Sequence, residues 1–110
     1  MTTRQLKTLA KLWQSRLQLT HWAIKVSFKS AKEMGDKVGG VQYMPEHATA
    51  YIEILKTRDR KEKDDTIEED IIHELLHLVI SGHRSKQEKY DELFERGINA
   101  IATALVKGYK

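Results

Sequence analysis

The sequence predicts a single α+β domain whose elements follow the order α-β-β-β-α-α. Apolar residues recur at helical spacing near both ends of the chain, and between residues 22 and 55 the period changes to two, as in strands with one buried face. At 110 residues the chain is long enough for one hydrophobic core and too short for two. We therefore expect residues 1–110 to form one domain.

The first helix and three strands follow from these periods. Helical spacing predicts an amphipathic helix over residues 3–19. Its apolar stripe consists of Leu6, Leu9, Ala10, Trp13 and Leu17. Alternation of apolar and polar residues predicts strands over residues 22–28, 41–44 and 48–55, which we expect to pair antiparallel in part.

Two helices complete the predicted fold. The charged run at residues 56–65 is typical of a solvated loop, and Asp65 or Thr66 is placed to cap the helix that follows. We predict that helix over residues 66–81 and a last helix over residues 86–107. The apolar side of the last helix is predicted to carry Tyr90, Leu93, Phe94, Gly97, Ile98, Ile101, Ala104 and Leu105.

The composition limits the chemistry that the chain can perform. It has no cysteine, which excludes disulfide scaffolds, thiol catalysis and Cys-ligated metals, so a metal site must use His, Asp or Glu. The N-terminal segment has no uninterrupted apolar run, so we expect no signal peptide, no membrane span and a cytoplasmic location. The net charge of +3 arises from 19 basic and 16 acidic residues that mostly alternate, so we do not expect nucleic-acid binding.

The helix predicted at residues 66–81 contains His73-Glu74-Leu75-Leu76-His77, a complete His-Glu-x-x-His motif. Residues four apart lie on one helical face, so His73 and His77 can reach one metal ion. Glu74 projects about 100° round the helix, beside the open coordination position. The apolar residues lie on the opposite face. We therefore predict a Zn²⁺ site with Glu74 as general base and acid.

A catalytic zinc site usually has three protein ligands and a water, and several residues are candidates for the third ligand. His83 follows His77 by six residues. We favour Glu95, because Asn99 follows it by one helical turn and could hydrogen-bond a ligating imidazole. His83 is the main alternative. The lesser alternatives are Asp91, Glu92 and Glu88.

These motifs give the chain a resemblance to a known family. The resemblance rests on the motif at residues 73–77, on Glu95-x-x-x-Asn99, and on His21-Trp22-Ala23-Ile24-Lys25-Val26 after Trp13, Leu17 and Leu19. In this arrangement the chain resembles the minimal gluzincins (minigluzincins) and related small prophage-type zinc metallopeptidases. The resemblance implies a zincin-like domain with zinc on His73, His77 and Glu95, Glu74 as base and Asn99 as the polar partner of a ligand.

The chain departs from related patterns at three positions. Asn99 stands where the gluzincin pattern often has Asp. His83 has the spacing of the third ligand in metzincins, but Ile80 replaces the glycine that turns the chain there. Small metallopeptidase-like domains of the SprT and WLM groups place an aromatic residue four positions after such a His, where this chain has Gln87. The Asn at position 99 weakens the charge that would orient a ligand, but Gln87 in place of the aromatic residue, together with the Glu95–Asn99 spacing, favours Glu95 over His83.

The resemblance implies hydrolysis of a peptide or flexible protein segment. A domain this small offers only a shallow cleft, so we expect restricted specificity, latency or self-association. The alternative function is a catalytically silent binding or regulatory module, such as a phage or plasmid factor. Tyr51 and Glu53 share a strand face that could line a cleft, whereas His21 and His47 are typical of surface residues rather than ligands.

Overall fold

The structure, a computed structural model, describes residues 1–35, 37–56, 65–81 and 92–109. The α+β class and the order of the six predicted elements are confirmed. The elements are α1 (Thr3–Arg16), β1 (Ala23–Lys29), α2 (Ala31–Met34), β2 (Gly39–Met44), a 3-10 turn (Pro45–His47), β3 (Thr49–Leu55), α3 (Asp65–Ser81) and α4 (Glu92–Gly108). Most of the charged run predicted as a loop, residues 57–64, lies outside the described residues.

The first helix begins at a capping box and ends earlier than predicted. The Thr2 side chain accepts from the backbone N–H of Gln5, and the Gln5 side chain accepts from the backbone N–H of Thr2. The helix ends at Arg16 because the chain turns through Gln18, whose φ of 58° is left-handed. As predicted, its buried residues are on the apolar stripe, at Leu6, Ala10 and Trp13.

The one-turn helix α2 was not predicted, although its signal is present in the sequence. Ser30 and Glu33 form a second capping box, in which each side chain accepts from the other residue's backbone N–H. The helix ends at Gly35, whose φ of 65° is accessible to glycine at little cost. The Ser-x-x-Glu spacing is the readable sign of such a start.

The three strands form one mixed sheet in the order β1-β3-β2. β1 pairs parallel with β3, from Ala23 opposite Thr49 to Lys29 opposite Leu55. β2 pairs antiparallel with β3 and begins at Gly39, two residues before the predicted start. The expectation of a partly antiparallel sheet is confirmed, and the structure adds that the last strand in the chain is the central one.

The core lies between one face of this sheet and the helices. Ala50, Ile52 and Ile54 of β3 are almost fully buried on that face. They join α1 and α3 residues in one cluster, to which α3 contributes Ile67, Ile71, Ile72, Leu75, Leu76 and Leu78. Tyr51 and Glu53 alternate with the buried β3 residues and line an open groove of about 760 Å³ on the other face. The groove lined by Tyr51 and Glu53 is therefore on the side of the sheet away from α3.

The buried side of α4 agrees with the predicted stripe in part. Ile98 is buried and Leu105 packs against the core as predicted, whereas Ile101 is 45% exposed. Ala102 and Val106 are buried without having been predicted. Tyr90 and the side chains of Leu93 and Phe94 lie outside what the structure describes. Spacings of three and four residues place half-buried Glu95 on the same side of the helix. The side of α4 that faces the core therefore carries a carboxylate near its N-terminal end. A pattern of apolar residues alone does not predict that carboxylate.

Candidate metal centre

The His-Glu-x-x-His motif lies in the middle of α3, where both imidazoles share one helical face. His73 and His77 are half-buried, and their ring centroids are 4.9 Å apart. Their Nε2 atoms are 3.2 Å apart. Ligand atoms of His73, Glu74 and His77 lie within 4.8 Å of one another and form a candidate metal-binding cluster. The face predicted from spacing is therefore confirmed for both histidines.

Glu95 reaches this cluster from the neighbouring helix α4. Its Oε2 lies 2.9 Å from His73 Nε2, and its Oε1 lies 3.1 Å from His77 Nε2. The three side chains are each about one-fifth exposed, so the group is accessible from solvent on one side. The packing of α4 against α3 thus brings the favoured third-ligand candidate against both histidines.

Asn99 pairs with one ring nitrogen of His73. The Nδ1–H of His73 donates to Asn99 Oδ1 over 2.7 Å. With Nδ1 protonated, a neutral His73 presents the lone pair of Nε2 to Glu95 Oε2. Two lone pairs at 2.9 Å repel one another unless a proton or a metal ion lies between them. The donor set therefore fits a cation.

The spacing of the donor atoms also fits zinc. Tetrahedral coordination with bonds of roughly 2.0–2.1 Å separates neighbouring ligand atoms by about 3.3 Å. The separations here are 3.2 Å between the two Nε2 atoms, 2.9 Å from His73 Nε2 to Glu95 Oε2 and 3.1 Å from His77 Nε2 to Glu95 Oε1, so each imidazole contacts a different oxygen of one carboxylate. Two imidazole nitrogens and one carboxylate would leave a further position on a zinc ion for water or substrate.

Glu74 is buried beside this group, although its helical position predicts the polar face. Its side chain is only 6% exposed. Burial raises the pKa of Glu74 to about 7. His73 and Lys37 act to lower this pKa, whereas Glu95 and Asp70 act to raise it. Glu74 is buried because strand β2 covers it at Gly39. This is a tertiary contact, so the helical position of Glu74 does not predict it.

The other residues considered as metal ligands lie away from the cluster or outside the residues that the structure describes. His83, Glu88 and Asp91 lie outside the described residues, and Glu92 begins α4 with a side chain that the structure does not describe. His21 and His47 are exposed at the end of the sheet opposite Gly39. They do not join the cluster.

Sequence reasoning missed one residue that contacts the site. Gly39 lies just before the strand predicted over residues 41–44, but it is the first residue of β2 and lies against Glu74. A glycine inside a strand often marks a close approach by another group. The glycine pair at 39 and 40 was the available signal.

Comparisons with known proteins supply no relative. No protein-family model matches the chain, and neither a curated protein nor a solved structure matches it. Within the described ranges, none of the helices has the length and apolar character needed to cross a bilayer. Chemical interpretation of this site therefore depends on its own geometry.

Proposed function

We propose that this chain is a zinc metallopeptidase in which His73, His77 and Glu95 hold the metal and Glu74 transfers the proton. The observation that carries the proposal is the meeting of two imidazole nitrogens from α3 and one carboxylate from α4, at separations of 2.9 to 3.2 Å. A buried carboxylate adjoins them on the same helix. The resemblance to minimal gluzincins supports the same ligand set.

Zinc in such a site lowers the pKa of a water toward ~7 and polarises a carbonyl group. Glu74 accepts the proton that the water loses as its hydroxyl adds to the peptide carbonyl carbon. The same carboxyl then donates this proton to the amide nitrogen as the C–N bond breaks, so Glu74 ends in its starting state. In the metal-free chain burial raises the pKa of Glu74 to about 7, and a zinc ion beside it would lower that pKa and favour the carboxylate form that accepts the proton.

The substrate in this proposal is an extended peptide or flexible protein segment. Among the described strands, β2 is an edge strand, and its first residue lies against Glu74. Extended peptides bind readily to such an edge through main-chain hydrogen bonds. A segment paired with β2 would pass its backbone close to the proton-transfer group.

The decisive experiment combines metal analysis with peptide cleavage. Purified protein should bind one zinc ion and cleave members of a mixed peptide library. Glu74→Gln should keep the zinc and lose cleavage, because the amide cannot accept the proton. Glu53→Gln is the matched control, since it makes the same chemical change on the far face of the sheet.

Two outcomes would overturn the proposal. Loss of cleavage to a similar extent in both variants would remove the assigned role of Glu74. Stoichiometric zinc without cleavage of any peptide by the wild-type protein would contradict the catalytic assignment and favour a metal-binding module without turnover.

A further inference from the structure

Gly39 occupies a position in β2 that a side chain would normally fill. It pairs with Ile54, and so faces the buried side of the sheet. A β-carbon added at Gly39 would lie 3.0 Å from Glu74 Oε2 and 3.5 Å from Glu74 Cγ. The Glu74 side chain therefore takes up the space that any other residue at position 39 would need.

We infer that Gly39 is a positioning residue for Glu74, an inference that rests on the proposed peptidase function. The absence of a β-carbon lets the carboxylate lie directly against the strand. The strand in turn prevents the carboxylate from moving further toward the sheet. Gly39 thereby helps to define where the proton-transfer group stands relative to the histidines.

The contact between Gly39 and Glu74 predicts that a side chain added at position 39 changes activity more than stability. The atom nearest to an added β-carbon is the end of a flexible side chain, not backbone. Gly39→Ala can therefore be accommodated by a shift of the Glu74 carboxylate, with little change in the fold. The required shift is a few tenths of an ångström. Since a shift of about 1 Å in a reacting group can cost about 100-fold in rate, we expect a smaller loss, which should fall on turnover.

The chain contains a matched control next to Gly39. Gly40 lies in the same strand, pairs with Glu53, and has no heavy atom within 4 Å of an added β-carbon. Gly40→Ala and Gly39→Ala reduce the freedom of the unfolded chain in the same way. A difference between the two variants therefore reports the collision with Glu74.

The test measures zinc affinity, urea unfolding, kcat and KM for wild type and both variants. Both variants should bind zinc like the wild-type protein, and both should shift the midpoint of urea unfolding by the same small amount. Gly39→Ala alone should lower kcat, by about 3- to 10-fold with KM unchanged, because Glu74 acts only in the transition state. Equal kcat values for Gly39→Ala and Gly40→Ala would overturn the inference.

A double-mutant comparison separates positioning from general damage to the strand. Glu74→Asp withdraws the carboxylate from β2 by one methylene group, which leaves room for a β-carbon at position 39. In that background Gly39→Ala should change kcat less than threefold. An equal loss in both backgrounds would show that Gly39 acts by another route.

A structural measurement keeps the inference separate from the proposed function. Crystal structures of the metal-free variants should show the Glu74 carboxylate displaced in Gly39→Ala and unmoved in Gly40→Ala. If the wild-type protein cleaves no peptide, the proposed function fails while this displacement still decides the role of Gly39. An unmoved carboxylate in Gly39→Ala would refute the inference.

Discussion

His73 on α3 and Asn99 on α4 are joined by a hydrogen bond of 2.7 Å between Nδ1 and Oδ1. The bond does two things at once. It holds the imidazole plane in one orientation, and it keeps the proton on Nδ1 so that Nε2 is available to a metal. The acceptor in this bond is a neutral amide oxygen.

Removal of the Asn99 acceptor should weaken zinc binding without removing a ligand. We expect Asn99→Ala to lower zinc affinity by about 10- to 100-fold, as measured by competition with a chromophoric chelator. Asn99→Asp keeps an acceptor and adds negative charge, so its affinity should equal or exceed that of the wild type. Lys107→Ala, exposed on the same helix, is the control. Equal zinc affinities for Asn99→Ala and Lys107→Ala would contradict the prediction.

The identity of the third ligand can be tested by comparing two variants. Glu95→Gln preserves shape and removes the negative charge beside the histidines, so zinc affinity should fall by more than in Asn99→Ala. His83→Ala should bind zinc like the wild type. The reverse ranking would make His83 the ligand and would leave the contacts of Glu95 with both imidazoles as a feature of the metal-free protein.

The stability of the metal-free protein should depend on the ionisation of Glu74. Its pKa is about 7 in the folded chain against the usual 4.5. Between these values the unfolded chain releases the proton while the folded chain retains it, so stability falls as pH rises. The total loss attributable to this group is about 3 kcal/mol, complete above pH ~7.

Urea unfolding at pH 5 and pH 8 in the presence of a chelator measures this loss. The other ionisable groups also titrate in this range, so the comparison is with Glu74→Gln, which lacks the ionisation. The wild-type protein should lose more stability than the variant between the two pH values. Parallel losses would mean that Glu74 is ionised in the folded protein throughout.

The buried indole of Trp13 should stabilise the fold through a polar contact as well as through packing. Its Nε1–H donates to Glu68 Oε2 over 2.7 Å, and the side chain is fully buried. Trp13→Phe should cost about 2 kcal/mol or more, because a hydrogen bond to a charged group contributes roughly 1.5–3 kcal/mol. The midpoint of urea unfolding reports the change.

Trp22→Phe provides the comparison for Trp13. Trp22 is half-buried, and its indole N–H donates to no residue in the part of the chain that the structure describes. Its replacement should cost less. A double-mutant cycle between Trp13→Phe and Glu68→Met, which removes the acceptor, should give a coupling energy of about 1.5–3 kcal/mol. Additive effects would show that packing alone accounts for the loss.

The periodic parts of the fold were predictable because each depends on neighbours in the sequence. Helical spacing around Trp13 and alternation around Ile52 located elements whose buried faces the structure confirms. The capping box of Ser30 and Glu33 is equally local, so the sequence carries the signal for α2 as well.

The candidate site was predictable in part for the same reason. The separation of His73 and His77 by four residues determines that both imidazoles share one helical face, whatever the rest of the fold does. The choice of Glu95 among the carboxylates used the local spacing to Asn99. The contact of Glu95 with both histidines, however, depends on how α4 packs against α3.

The sequence by itself determined the α+β class, the element order and the shared face of His73 and His77, since these follow from local periodicity. The tertiary structure alone decided the central place of β3, the approach of Glu95 and the burial of Glu74 beneath Gly39. These depend on side chains far apart in the sequence coming together, and the spacing of residues along one segment carries no information about that.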